Sequence, residues 1–173
     1  FIKLHLEILL LRNEILKINK VIKKYWNNDP NSSLRIVISE FLKKNKMGNI
    51  ENIKLIIKGN YNEKESKKLL VDFAIYNGDW PLARKNVKDL IQFNPEREVC
   101  KFMASLEMGE FNDIQKRDAW TLRAENSNFD EIWICQITNI SQKNWSTVSD
   151  SGHFNSLEWR RPKMLGTSIL NNE

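Results

Sequence analysis

Cysteine and histidine are scarce in this sequence, which has two of each among 173 residues. Cys100 and Cys135 lie far apart and belong to no Cys-x-x-Cys pair. This spacing argues against a disulfide framework and a zinc site, and it favours a reducing compartment. His5 and His153 stand near opposite ends of the chain, so they do not suggest a catalytic or metal-binding pair. We therefore predict that the protein holds no metal.

Long apolar runs and common catalytic motifs are missing from the sequence as well. The most apolar stretch, residues 8–11, is flanked by Glu7 and Arg12, whereas a bilayer span needs roughly 20 apolar residues. The sequence has no phosphate-binding glycine loop, no Gly-x-Ser-x-Gly and no His-Glu-x-x-His. We predict a protein that is not an enzyme, with no catalytic residues and no cofactor. Because the sequence opens on Phe1 rather than Met, we expect a fragment or processed piece, and an upstream membrane anchor stays open.

Positive charge is concentrated in the first part of the sequence. Residues 1–70 hold 15 Lys and Arg against 7 Asp and Glu, a net charge of +8, and the remainder holds 12 against 15, a net charge of −3. One interpretation is a basic face for nucleic acid, anionic lipid or an acidic partner. The other, which we favour, is a solvated surface encoded by an AT-rich genome, because Asn and Ile are abundant too.

A short pattern recurs three times, at residues 47–53, 77–83 and 108–114. Each copy has a glycine, a polar residue, a large apolar residue, two spacers and an aliphatic residue. The glycines, Gly48, Gly78 and Gly109, are 30 and 31 positions apart, and a degenerate fourth copy has Asn13 in the glycine position. Gly and Asn both tolerate the left-handed backbone that ends a helix. We predict that the three glycines form turns between paired helices.

Helical periodicity surrounds every copy of this pattern. It predicts helices near 2–27 (with a break at Asn13), 33–46, 50–58, 63–77, 80–93, 95–108 and 111–125. No strand pattern occurs before residue 130. We predict an all-α fold, with a solenoid of helix pairs over residues 1–128. Residues 129–173 form an irregular Trp-rich tail that packs on the last helix pair.

The repeat resembles the tetratricopeptide repeat. Gly78, Trp80, Ala83 and Pro95 take the small-residue, aromatic, alanine and terminal-proline positions of that motif, although Lys67 occupies an aromatic position and the spacing is shorter than 34. The resemblance implies that the first helix of each pair lines a groove for an extended peptide or a partner helix. We place in that groove, as binding residues, Arg35, Ile38, Lys68, Asp72, Tyr76, Glu96 and Met103.

A more specific resemblance comes from the tail and the segment before it. The order of Arg97–Ala104, Ile132-Trp133, Trp145–Ser149, Gly152 and Ser156–Pro162 is similar to the C-terminal half of the HemY family of alphaproteobacteria. That family places tetratricopeptide repeats after two membrane helices and is linked to haem biosynthesis. The resemblance implies the soluble part of an inner-membrane-associated bacterial scaffold, with the cytoplasmic side favoured.

The tail also resembles a rubredoxin-like ribbon found at the end of related repeat proteins. Cys135 stands at a metal-ligand position of that ribbon, and Thr138, Ser149 and Ser151 lie about where the other ligands would be. A tetrahedral zinc site needs four ligands. We therefore expect a metal-free relic of the ribbon.

Three functions follow from these observations. We favour a non-enzymatic scaffold that binds a protein or peptide partner, with no nucleic acid expected and its oligomeric state open. One alternative is a binder of nucleic acid or an anionic surface through the Lys-rich N-terminal half. The other is a direct haem or porphyrin carrier that uses His5, His153, Cys135 or a tryptophan.

Overall fold

A computed structural model describes residues 2–91 and 95–162. The chain is mostly helical, as predicted, but the tail that was predicted to be irregular contains a small sheet. The chain divides into two compact units, Phe1–Asn128 and Phe129–Glu173. The helices of the first unit are α1 (Ile2–Leu11), α2 (Ile15–Asn28), α3 (Ser32–Lys44), α4 (Ile50–Ile57), α5 (Lys64–Tyr76), α6 (Trp80–Lys88), α7 (Arg97–Phe111) and α8 (Ile114–Glu125), with a short 3₁₀ turn at Lys58–Asn60.

Local capping explains where four of these helices begin. The side chains of Asn31, Asn49, Asp79 and Asp113 each accept a hydrogen bond from the backbone N–H three residues later, at 2.8–3.1 Å. Such caps satisfy backbone donors that a helix start otherwise leaves unpaired. Pro81 lies in the first turn of α6, where its missing N–H leaves no helical bond unmade.

Four residues with left-handed backbone separate the two helices of each pair. They are Asn13, Lys46, Gly78 and Asn112, with φ between 52° and 73°. Their successive spacings are 33, 32 and 34 positions. At the first three, the left-handed residue and its successor donate to carbonyls three and five positions back, at 2.8–3.2 Å, as in a Schellman motif. The fourth turn is one residue wider, since the Asp113 N–H bonds to the Glu107 carbonyl.

One of the three predicted glycine turns is wrong, since Gly48 and Gly78 lie between paired helices and Gly109 does not. Gly78 has φ +73° at its turn, and Gly48 lies in the turn between α3 and α4, where Lys46 rather than Gly48 has the positive φ. Gly109 lies inside α7. A methyl group built on Gly48 would overlap the Phe73 ring, and one on Gly109 would overlap the Trp80 indole. Both glycines therefore allow an aromatic ring to approach the backbone closely. In these two copies of the sequence pattern, the left-handed residue of the turn is therefore not the glycine but Lys46 or Asn112.

The first helices of successive pairs lie side by side. α3 contacts both α1 and α5, α5 contacts α7, and among the second helices α2 contacts α4. One apolar core extends from α1 to α5 and includes Trp26, Leu42 and Phe73, while a second joins α5, α6 and α7. The Trp26 indole donates to Ser66 Oγ at 2.9 Å, which satisfies the polar atom of a fully buried ring.

The second unit contains a small antiparallel sheet. Its strands are β1 (Ile132–Cys135), β2 (Ser141–Gln142) and β3 (Leu157–Arg160), with β1 in the centre. Trp133 on β1 is paired with Trp159 on β3, and their rings pack edge to face at 5.2 Å. The Trp159 indole donates to Glu131 at 3.1 Å. The predicted packing of the tail on the last helix pair stays a prediction.

Candidate functional site

The side-by-side first helices α3, α5 and α7 bring charged residues together at one place. Arg35 on α3 is 3% exposed. Its Nε donates to Glu65 on α5 at 2.8 Å, and its Nη2 donates to both carboxylate oxygens of Glu98 on α7 at 2.6 and 2.7 Å. A buried guanidinium is tolerated here because its Nε and Nη2 groups both donate to carboxylates.

Lys68 extends this cluster along α5. Its Nζ lies 3.1 Å from Glu65, 2.8 Å from Glu96 and 3.3 Å from Glu98, and Lys64 lies 2.6 Å from Glu96. Glu96 immediately precedes α7. We call these six residues the interhelix ion network: Arg35, Lys64, Glu65, Lys68, Glu96 and Glu98. Three cations and three carboxylates make the network neutral overall.

Three members of the network have shifted pKa values. Burial by itself lowers the pKa of Arg35 and of Lys68, but the charges of Glu98 and Glu65 outweigh it and raise both pKa values. Burial by itself raises the pKa of Glu96, but hydrogen bonds from Lys64 and Lys68 lower it to about 2. All three shifts favour the charged forms of Arg35, Lys68 and Glu96, which join α3, α5 and the start of α7.

A second polar cluster lies further along the same two helices. Asp72 on α5 accepts hydrogen bonds from Ser39 at 2.5 Å and from Lys43 at 2.7 and 2.8 Å, both on α3. The Lys43 ammonium also lies 5.4 Å from the centre of the Phe73 ring and 5.7 Å from that of Tyr76. Tyr76 is 49% exposed and packs edge-on against Phe73. It is the exposed aromatic side chain of this cluster.

A third cluster joins α6 to α7. Arg84 lies 3.0 Å from Glu107 and bonds to Glu110, and its guanidinium lies 4.8 Å from the centre of the Phe111 ring. The hydrogen bond that Arg84 donates to Glu107, opposed by burial, raises the pKa of Arg84. Glu107 is 5% exposed, so this pair also serves to join helices.

The seven predicted groove residues divide into three groups. Four of them lie where first helices meet: Arg35, Lys68, Asp72 and Glu96. Their charged groups already form ion pairs within the protein, so they are not available to a partner. Ile38 is completely buried and Met103 is 7% exposed, so both are core residues, and their assignment as groove residues is corrected. Tyr76 is the predicted residue with a substantial exposed surface.

Sequence reasoning missed Lys43, Glu65 and Glu98. The steps from Arg35 to Ser39 to Lys43 are four residues each, which places all three on one side of α3. That periodicity was available in the sequence. The carboxylates that meet them come from α5 and α7, and only the stacking of the helices shows these pairings.

The second unit brings together the hydroxyl and thiol groups of the expected ribbon. Cys135 Sγ lies 3.3 Å from Ser156 Oγ, and the Ser151 hydroxyl lies 3.0 Å from those of Thr138 and Ser149. Hydrogen bonds from Ser151, Ser156 and Thr138 lower the pKa of Cys135 to about 5. Across residues 2–91 and 95–162, no group of three His, Cys, Asp or Glu side chains is arranged to hold a metal ion.

The residues named for a haem carrier are divided between the two units. His5 is exposed on α1 of the first unit, whereas His153 and Cys135 belong to the second. Cys100 is buried, with its thiol near the Pro95 carbonyl and the Ser127 hydroxyl. The haem alternative therefore stays a prediction.

Among the helices that the structure describes, none has both the length and the apolar character needed to cross a bilayer. Comparison with protein-family models finds no matching family, and no curated protein and no solved structure matches the chain.

Proposed function

We propose that this chain is a non-enzymatic scaffold of tetratricopeptide type that binds a protein partner along α3, α5 and α7. The observation that carries the proposal is the spacing of the left-handed turns, 33, 32 and 34 positions. Tetratricopeptide repeats have a period of 34 residues and a helix–turn–helix unit. The side-by-side first helices match the arrangement by which such repeats form an extended binding surface.

The interhelix ion network stabilises this surface rather than contacting the partner. Its charges are neutralised internally and, apart from Lys64, mostly buried, so a partner would have to break existing ion pairs to use them. A rigid stack of helices loses little conformational entropy when a partner binds. The network thus keeps the binding surface preorganised.

Tyr76 is the anchor that we assign to the partner. Its ring is half exposed, yet its orientation is set by the edge contact with Phe73 and by the nearby Lys43 ammonium. Exposed aromatic side chains with restricted motion are common energetic centres of protein interfaces. The partner is an extended segment or helix that places an apolar side chain against Tyr76.

The HemY-like identity is part of the same proposal. It places the chain as the soluble region of a bacterial inner-membrane-associated protein linked to haem biosynthesis, on the cytoplasmic side. Its support is the order of the tail motifs together with the local structure of the second unit, where Trp133 pairs with Trp159 and Cys135 lies among Thr138, Ser151 and Ser156.

The test uses Tyr76→Ala together with a matched control. Tyr25→Ala on α2 removes a tyrosine that is 40% exposed but lies outside the proposed surface. Tagged protein is used to capture partners from a bacterial envelope fraction, and the affinity for each purified candidate is then measured. We expect Tyr76→Ala to weaken binding at least tenfold and Tyr25→Ala to leave it within twofold. Equal affinity for both variants would contradict the assigned surface.

A further inference from the structure

Helix α1 has an apolar side that no described helix covers. Leu6 and Leu9 face the core and are 0% and 6% exposed. On the opposite side, Leu4, Ile8 and Leu11 are 61%, 39% and 87% exposed. Positions i, i+4 and i+7 lie on one face of a helix, so these three side chains form a continuous aliphatic stripe.

The outward side of α2 adds positive charge beside another exposed leucine. Leu16 is 82% exposed, and Lys20, Lys23 and Lys24 follow at steps of three and four residues, on the same side of the helix. Within the described residues, none of these three lysines has an acidic partner, whereas Lys17 is paired with Glu14 at 2.9 Å. The first helix pair carries six Lys and Arg against two Glu, a net charge of +4 (6 − 2).

We propose that the first helix pair docks on an anionic lipid surface. Peripheral amphipathic helices bind anionic bilayers through exposed aliphatic side chains and lysines together, and this helix pair supplies the two groups from adjacent helices. The leucines enter the boundary between headgroups and acyl chains, and the lysines attract the negatively charged headgroups. No helix has to cross the bilayer for this mode of binding.

The same observations disfavour the other occupants. A nucleic acid uses the lysines but leaves four exposed aliphatic side chains in water, because its contacts are with phosphates and base edges. A second copy packed symmetrically through this face brings two basic surfaces together. Only the lipid surface accounts for both the exposed leucines and the exposed lysines.

We call the exposed aliphatic residues and lysines of the first helix pair the docking face: Leu4, Ile8, Leu11, Leu16, Lys20, Lys23 and Lys24. This face is separate from the partner surface around Tyr76. Its residues lie on α1 and α2, whereas the proposed partner contacts α3, α5 and α7. The lipid proposal therefore does not depend on the partner proposal. Tyr76→Ala should leave vesicle binding unchanged, and this separates failure of one proposal from failure of the other.

The experiment measures cosedimentation of the full chain with extruded vesicles. Vesicles of phosphatidylcholine alone are compared with vesicles that also contain phosphatidylglycerol, each at low and high salt. We expect binding that needs phosphatidylglycerol and weakens as salt rises. Binding that is equal for both vesicle types would overturn the proposal.

Two variants test the two halves of the face. Leu4→Ser with Leu11→Ser removes exposed aliphatic groups, and Lys20→Gln with Lys23→Gln and Lys24→Gln removes three charges. Each should weaken binding to the anionic vesicles by roughly ten- to one-hundredfold. The matched control replaces three exposed lysines of later helix pairs with glutamine: Lys58, Lys85 and Lys88.

The control variant should bind within about threefold of the unaltered protein, although it has lost the same net charge. If it binds as weakly as the Lys20, Lys23 and Lys24 variant, the effect belongs to overall charge and the proposal is wrong. A dimer in sedimentation equilibrium that the leucine variant disrupts, without vesicle binding, would assign the face to a second copy. Tighter binding of an RNA or DNA duplex, dependent on the lysines but not on the leucines, would assign it to nucleic acid.

Discussion

Arg35 and Glu98 are 63 positions apart in sequence, yet Arg35 Nη2 lies 2.6 and 2.7 Å from the two carboxylate oxygens of Glu98. The pair joins α3 directly to α7, and the bond from Arg35 to Glu65 includes α5 between them. One 4% exposed side chain thus links three successive first helices.

Replacement of Arg35 by Ala should destabilise the first unit by about 3 kcal/mol, because Glu65 and Glu98 lose a buried counterion. The control is Arg117→Ala, which removes an exposed ion pair to Asp118 and should cost less than about 1 kcal/mol. Chemical denaturation followed by circular dichroism measures both. Equal denaturation midpoints for the two variants would show that the buried ion network contributes no more to stability than an exposed ion pair.

Acid should weaken the folded state through Glu96. Its pKa is about 2 when folded, against an ordinary 4.5, so the unfolded chain takes up a proton first as the pH falls. The stabilisation is fully present above about pH 4.5 and is lost between pH 4.5 and about 2. We expect a loss of roughly 2 kcal/mol across this window, measured as denaturation midpoints against pH.

The matched substitution for this pH effect is Glu96→Gln. It should be less stable than the unaltered protein at pH 7, and its stability should change less between pH 4.5 and 2. Glu51→Gln is the control, since its carboxylate is 81% exposed and pairs only with Lys54 among the described residues. If Glu96→Gln shows the same acid slope as Glu51→Gln, the assignment to Glu96 is wrong.

Because of backbone strain at the left-handed turns, two substitutions there should change the stability of the fold in opposite directions. Gly78→Ala should destabilise by about 1 kcal/mol, because φ is +73° while the nearest other atom, on Trp80, is 4.0 Å from a new Cβ. Lys46→Gly should stabilise by about 0.5–1 kcal/mol, because a residue with a Cβ now holds φ 55° there. Thermal melting of both variants checks the pair of signs. Destabilisation by Lys46→Gly would contradict the strain argument.

Gly48 should resist substitution for a different reason. Its backbone is unstrained, but a methyl group would overlap the buried Phe73 ring, so Gly48→Ala should cost about 1–3 kcal/mol. Phe73→Leu removes the edge of that ring. A double-mutant cycle between the two should show that the combined cost is smaller than the sum of the single costs. Additive costs would mean that Gly48 and Phe73 do not share the same space.

The thiol of Cys135 should titrate well below an ordinary cysteine. Its pKa is about 5, lowered by hydrogen bonds from Ser151, Ser156 and Thr138. In a Cys100→Ala background, the ultraviolet absorbance of the thiolate followed against pH should show a midpoint near 5. Ser151→Ala should move that midpoint upwards, while Ser146→Ala, outside the contacts that lower this pKa, should not. A midpoint near 9 in the unaltered protein would contradict the cluster.

The sequence by itself determined the elements of the first unit. Apolar residues at steps of three and four indicated the helices, and Asn13 and Gly78 marked two of the turns. These features depend on neighbours along the chain, because capping, helical periodicity and positive φ act over fewer than about six residues. Such short-range effects can be predicted from the sequence.

Only the tertiary structure decided which residues occupy the surface and which residues pair. Ile38 and Met103 were assigned to the groove from the resemblance to the tetratricopeptide repeat, but they are buried in the folded chain. Gly48 and Gly109 matched Gly78 in sequence, yet they are glycines because Phe73 and Trp80 approach them. Burial and ion pairing depend on what another helix, some 30 or more positions away, places at the same point. No local pattern in the chain encodes that placement, because the contacts form only when the helices stack.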